Sequence, residues 1–148
     1  YNLMIFISHR GNINGINKKF ENNPNYIQHA IDKGFNVEID VWYKDYFFLG
    51  HDKPQYKVSS KFLENKKFWC HAKNLEALEK LQKLRTKYFW HQNDDYTLTS
   101  NGYIWTYPGK KLSKKSICVL PETKKTKIKK FISGICSDFI EKYKRKYD

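Results

Sequence analysis

The sequence predicts an α/β protein built on a parallel sheet, and three features carry that prediction. Apolar runs recur along the whole chain, helical periodicity fills several of the gaps between them, and the runs end in polar residues. Near-continuous apolar strands that alternate with helices belong to a parallel sheet covered on its faces. At 148 residues the chain is read as a single domain spanning 1–148, with 17% aromatic residues to fill its core. No linker, low-complexity tract or internal repeat divides it.

The first run, Leu3-Met4-Ile5-Phe6-Ile7, has the length of a strand buried on both faces, and Gly11 marks its end, so a strand is placed over 4–11. A helix follows over 25–33, opening after Pro24 and stopping at Gly34. Strands are expected over 35–42 and 46–51, then a short helix over 59–65 behind a capping Ser59. After a strand over 68–73, the segment 74–84 carries Leu75, Ala77, Leu78, Leu81 and Leu84 on one stripe behind an Asn cap. Strands over 88–93, 102–107, 117–122 and 134–140 complete the set, with a fourth helix over 124–133.

The formal charge of +13 points toward anionic partners, because clustered Lys and Arg neutralise phosphates. Only Arg10, Arg85 and Arg145 are arginines, and the richness in Lys, Asn, Ile, Tyr and Phe is what an AT-rich genome supplies. Much of the charge is therefore expected on a solvated surface, where it still draws in anionic substrates. Cys70, Cys118 and Cys136 lie in apolar stretches without CxxC spacing, which fits reduced, core-packed thiols in a cytoplasmic protein. Met4 is a candidate start, with Tyr1-Asn2-Leu3 an extension ahead of it, leaving no room for a signal peptide; no apolar run is long enough for a transmembrane segment.

Polar groups repeat at the strand ends. In Val37-Glu38-Ile39-Asp40-Val41 the period of two puts Glu38 and Asp40 on one face and the apolar residues on the other. Two carboxylates projecting together from a buried strand repel and are badly desolvated, so they need a cation, Mg²⁺ or Ca²⁺ being the simplest. Taken alone, the pair fits better an ordinary strand with one solvated face. Two more runs, however, end in His51 and in the period-two pair His71 and Lys73. In a parallel barrel such ends converge on one mouth. His29, mid-helix, is read as structural.

His9-Arg10-Gly11, then Glu21-Asn22-Asn23 ahead of a helix, then Glu38-x-Asp40, then Gly50-His51-Asp52, in this order and spacing, resemble the glycerophosphodiester phosphodiesterase family. That family belongs to the phospholipase-C-like phosphodiesterases, which also include the spider sphingomyelinases D. The resemblance is specific across 9–52, fair for the strand with Lys73, and thereafter rests on Trp105-Thr106 and the closing Ser137-Asp138.

The resemblance implies that His9 and His51 are the acid/base pair, His9 as base and His51 as acid. It further implies that Glu38 and Asp40 hold one divalent metal, and that Arg10 and Lys73, with Trp105, bind substrate. His71 stands where the family usually has Glu or Asp, which makes it the third ligand candidate and moves the metal choice toward Mn²⁺ or Zn²⁺. The implied fold is a TIM-type barrel, which takes about 250 residues and rarely fewer than about 200. At 148 residues a shortened TIM-type (β/α) barrel is expected, complete or slightly open, with parallel strands and several crossover helices missing or reduced. Short turns replace helices over 94–116, a homodimer partner would cover the bare outer strands, and His91, Asn93, Trp105, Tyr107 and Glu122 are rim candidates.

The expected function is that of a metal-dependent phosphodiesterase, a phosphoric diester hydrolase. Its substrate would be a small glycerol-type, nucleotide-linked or glycan-linked phosphodiester. Two histidines titrating near neutrality can share the proton transfers, and metal, Arg10 and Lys73 can absorb phosphoryl charge. The second reading is a degenerate barrel that binds phosphorylated ligands without turnover. The third is a basic nucleic-acid-binding module using the Lys-rich segments 124–130 and 142–146, although nucleic acid is not the expected partner.

Overall fold

The computed structural model describes residues 3–148; the first two residues of the extension ahead of Met4 lie outside the described residues. In chain order the elements are β1 (Ile5–His9), α1 (Pro24–Asp32), β2 (Asn36–Lys44), β3 (Tyr46–Leu49), β4 (Tyr56–Val58), α2 (Ser60–Leu63), β5 (Phe68–Ala72) and α3 (Leu75–Leu81). There follow β6 (Lys87–Phe89), β7 (Tyr96–Leu98), β8 (Ile104–Thr106), β9 (Ser116–Val119), a 3₁₀ turn (Pro121–Thr123), β10 (Gly134–Ser137) and α4 (Ile140–Tyr147).

The strands form one sheet. Parallel pairing runs β6–β5–β2–β1–β10–β9–β8, so the parallel strands follow their order in sequence, the last pairing with the first, and the path ends at β6 and β8, which do not pair. Antiparallel pairing is confined to β7 on β8 and to a hairpin extension in which β3 pairs with the far half of β2 and β4 with β3. The run at 46–51 is therefore a hairpin strand rather than a member of the parallel set. Asp45, with φ of 64°, makes the reversal after Lys44.

The two ends of this path come together. Ser100 N donates to Tyr88 O at 2.9 Å, and Thr97 Oγ1 donates to Trp90 O at 2.8 Å, linking the β6 and β7 neighbourhoods. Ile7, Trp69, Phe89, Trp105, Ile117 and Val119 share one buried cluster, with Phe89 and Trp105 rings 4.6 Å apart. Phe89 and Trp105 belong to opposite ends of the parallel path, so the sheet must curl for them to meet. Its other face packs Val37, Ile39 and Val41 with Ile27 and Ala30 of α1 and Ala77 and Leu81 of α3.

The helices follow their caps. Asn23 accepts from Asn25 N ahead of Pro24, Ser59 accepts from Phe62 N, and Asn74 accepts from Ala77 N. On α3 the stripe excludes Leu75, which is exposed. Between α3 and the 3₁₀ turn no helix forms, in keeping with the short turns expected over 94–116. The helix expected over 124–133 is absent; that segment is an irregular connection with a single buried residue, Ile132. One buried apolar residue gives a helix no face to bury, and helix stability comes mainly from such a face. The fourth helix lies instead at Ile140–Tyr147, where Ile140, Tyr143 and Tyr147 make a stripe against the sheet. No helix among the described residues is long and apolar enough to cross a membrane.

Candidate active site

The carboxyl ends of the parallel strands bring most of the expected site residues together. His9, Arg10, Glu38, His51, His71 and Trp105 all line one cavity of about 500 Å³, with His91 and Tyr107 on its rim. Lys73 does not line the cavity; its backbone N–H donates to Val41 O at 2.8 Å.

Gly11 sets the geometry at the end of β1. Its φ is 96°, and a Cβ there would meet Tyr26 Cδ2 at 2.6 Å, so only glycine lets the chain turn under α1. Arg10, with φ of 60°, is bent back so that its N–H bonds Glu38 O at 2.9 Å. At Gly50 a Cβ would strike the Lys53 carbonyl, and this close approach places His51 over the cavity.

Glu38 is 2% and Asp40 0% exposed, so the solvated-face reading of this pair does not hold. Asp40 divides its oxygens. Oδ2 accepts from Asn22 Nδ2 at 2.9 Å and faces Arg10 Nε at 3.0 Å, while Asn22 Oδ1 accepts from the Asp40 backbone at 2.9 Å. Oδ1 faces His71 Nδ1 at 3.2 Å. Burial alone would raise the Asp40 carboxyl, but His51, His71 and Arg10 outweigh it and hold Asp40 well below the usual carboxylate range.

His71 Nε2 lies 2.9 Å from His91 O, and a carbonyl only accepts, so the proton sits on Nε2 and Nδ1 turns toward Asp40 Oδ1 and, at 3.6 Å, Glu38 Oε2. Burial opposes protonation of His71, yet the two carboxylates beside it push it up to about 9. A cation is therefore wanted at this point, whether a proton or a metal ion.

Donor atoms of Glu38, Asp40 and His71 lie within 4.8 Å of one another. Glu38 Oε1 and Asp40 Oδ1 are buried without a hydrogen-bond partner. Orphaned carboxylate oxygens beside an imidazole nitrogen, its other nitrogen fixed by a carbonyl, are the donor set of a divalent metal site. The residues present fit such an ion.

His9 is oriented by Asp138, a residue to which the motifs assign no role. His9 Nδ1 lies 2.7 Å from Asp138 Oδ1, leaving Nε2 toward the cavity and 3.9 Å from Glu38 Oε1. Burial disfavours the charged His9 ring, but the Asp138 bond and the Glu38 charge raise it above its ordinary value. Asn12 Nδ2 donates at 2.8 Å to both Asp138 and Glu21, and Glu21 in turn accepts from Arg10 at 3.2 Å. Glu21 and Asn22 belong to the motif that carried the resemblance; Asn12 had no signal beyond its closeness to His9. Compared with protein-family models, curated proteins and solved structures, the chain matches none.

Proposed function

We propose that this chain is a metal-dependent phosphodiesterase of the glycerophosphodiester phosphodiesterase type, built as a shortened TIM-type barrel. The observation that carries the reading is the meeting of His9, Arg10, Glu38, His51 and His71 around one cavity at the carboxyl ends of the strands. Cyclic order of the parallel strands and the inner cluster support the barrel. Three buried free thiols support a reducing, cytoplasmic setting.

Glu38, Asp40 and His71 would hold one divalent ion, Mg²⁺ or Ca²⁺ by its carboxylates, with the imidazole extending the choice to Mn²⁺ or Zn²⁺. Bound there, the ion supplies Lewis-acid charge at the phosphoryl oxygens. His9 Nε2, its partner nitrogen held by Asp138, takes the proton from the attacking hydroxyl. In the family this is commonly a neighbouring hydroxyl of the substrate, which gives a cyclic phosphate. His51, 43% exposed at the mouth, returns a proton to the leaving oxygen. Arg10, held by Glu21 and Asp40, takes the phosphoryl charge; Lys73 lies outside the cavity lining. Trp105 gives the substrate an apolar wall.

A panel of glycerol-type, nucleotide-linked and glycan-linked phosphodiesters, assayed for alcohol release with Mg²⁺, Mn²⁺ and Ca²⁺, tests the proposal. Turnover of at least one class is expected. Tight binding of phosphorylated compounds with no turnover under any ion would instead establish the ligand-binding reading.

A further inference from the structure

Positive charge is not spread evenly over this chain. Residues 107–130 hold nine lysines against one acid, Glu122, so +8 of the net +13 sits in 24 residues. All nine lysines are exposed. Glu122 is half-buried and its carboxylate accepts from Ser137 Oγ at 2.7 Å. Among the described residues only Lys110 of the nine has a carboxylate within reach, Asp95 at 3.5 Å.

Topology turns these lysines into a strip. Both connections, after β8 and after β9, run from the mouth end of the sheet to its opposite end, because β8, β9 and β10 are parallel. Lys110, Lys111, Lys124 and Lys125 therefore lie at the mouth end. Lys114, Lys115, Lys129 and Lys130 lie at the far end. Gly109 N donates to Thr126 Oγ1 at 3.1 Å and Ser133 Oγ donates to Lys114 O at 2.7 Å, tying the two connections at both ends. Pro108, Thr123 and Lys124 also line the cavity, so the strip opens into the site. Four residues of β9 at about 3.3 Å each make it about 13 Å long.

We infer that this strip is a docking track for a linear polyanion of phosphodiester-linked polyol or sugar repeats. Resting on the phosphodiesterase reading above, it makes the cleaved diester one unit of such a chain. Nine unpaired or weakly paired ammonium groups along a side wall fit a chain with a regular negative charge. A flat bilayer pressed on a side wall would lie beside the mouth, not over it. Nucleic acid is a poorer fit, because the strip contains no arginine, and Tyr107 and Phe131 at its two ends are the exposed large aromatics, with no row of them between for bases to stack on. A second copy of this chain would bring like charge to like charge, which argues against a homodimer over this face.

The variant to make is Lys114→Gln/Lys115→Gln/Lys129→Gln/Lys130→Gln, at the end of the strip remote from the cavity. The probe is labelled poly(glycerol phosphate), bound in excess chelator between about 50 and 200 mM salt. The variant is expected to bind at least about a hundredfold more weakly at about 50 mM salt, with a log–log salt slope shallower by about 3, so that the gap narrows as salt rises. Its turnover of a single-repeat glycerol phosphodiester should equal that of wild type. Unchanged polymer binding by the variant would overturn the inference. So would single-stranded DNA, or vesicles of phosphatidylglycerol and phosphatidylcholine, bound by wild type as tightly as the polyol chain. Binding of the polymer without cleavage of any diester would uphold the strip and defeat the phosphodiesterase reading; cleavage of the monomer without polymer binding would do the reverse.

Discussion

His9 and Asp138 join the first parallel strand to the residue after the last, 129 positions apart, through a 2.7 Å contact between Nδ1 and Oδ1. A carboxylate only accepts, so this contact fixes the proton on Nδ1 and leaves Nε2 as the basic nitrogen. Asp138→Asn should keep the fold yet lower kcat by about 10²–10⁴, with little change in KM, because an amide can present its NH₂ and favour the wrong tautomer. Steady-state kinetics beside a circular dichroism spectrum checks this; wild-type kcat would show that Asp138 does not orient the base.

Replacing either ring tests the acid/base pair itself. His9→Ala and His51→Ala should each abolish measurable turnover while the thermal midpoint stays within a few degrees of wild type, since both rings sit at strand ends facing the cavity. His29→Ala, on the exposed side of α1, should be silent in the same assay. Loss of activity in that control with the fold intact would mean the wrong histidines were chosen.

Asn22 is a structural counterpart to the metal ligands. It is buried, has φ of 66°, and exchanges two 2.9 Å bonds with Asp40. Asn22→Ala strands the Asp40 N–H and puts alanine in a left-handed backbone, a combined loss of about 2–4 kcal/mol. Chemical denaturation should register it as a lower midpoint at unchanged m-value. A midpoint equal to that of wild type would show that Asp40 is held by something else.

The three thiols should be inert in the native protein. Burial pushes Cys70 and Cys118 up to about 12, and Cys136 rises as well. At pH 8 a thiol of that kind is about one part in 10⁴ thiolate, against roughly a quarter when exposed. Sulfur labelling should therefore be slow until denaturant is added, and then reach all three. The sign for stability follows from the same shift: the contribution is complete below about 9, where the unfolded thiols are neutral, and is lost as pH rises toward 12. Fast native labelling would contradict the burial.

Local pattern made much of this legible. Period two in 37–41 separated the carboxylates from the face that packs on α1 and α3, and Pro24, Ser59 and Asn74 announced three helix starts. What stayed hidden depends on distant pairing. Asp138 reaches His9 only because β10 lies beside β1, with Ser137 opposite Ser8, and no local signal encodes that. The misplaced fourth helix has another cause. Lysines alternating with Thr126 and Ile128 imitate a polar helix face, whereas in 140–147 the charge run obscures the stripe of Ile140, Tyr143 and Tyr147. The strand expected over 134–140 is shorter for the same reason, since β10 stops at Ser137, whose Oγ accepts from Phe139 N at 2.8 Å.

The most direct measurement follows alcohol release from the best phosphodiester as free divalent ion is raised from excess chelator, for wild type and Glu38→Gln. Wild type should be inactive in chelator and rise to saturation with one ion per chain; Glu38→Gln should need at least about tenfold more ion, because a neutral amide is a poor ligand for a hard cation. An undiminished wild-type rate in excess chelator would contradict the account and leave Glu38 and Asp40 as partners of Arg10 and His71 in a metal-free site.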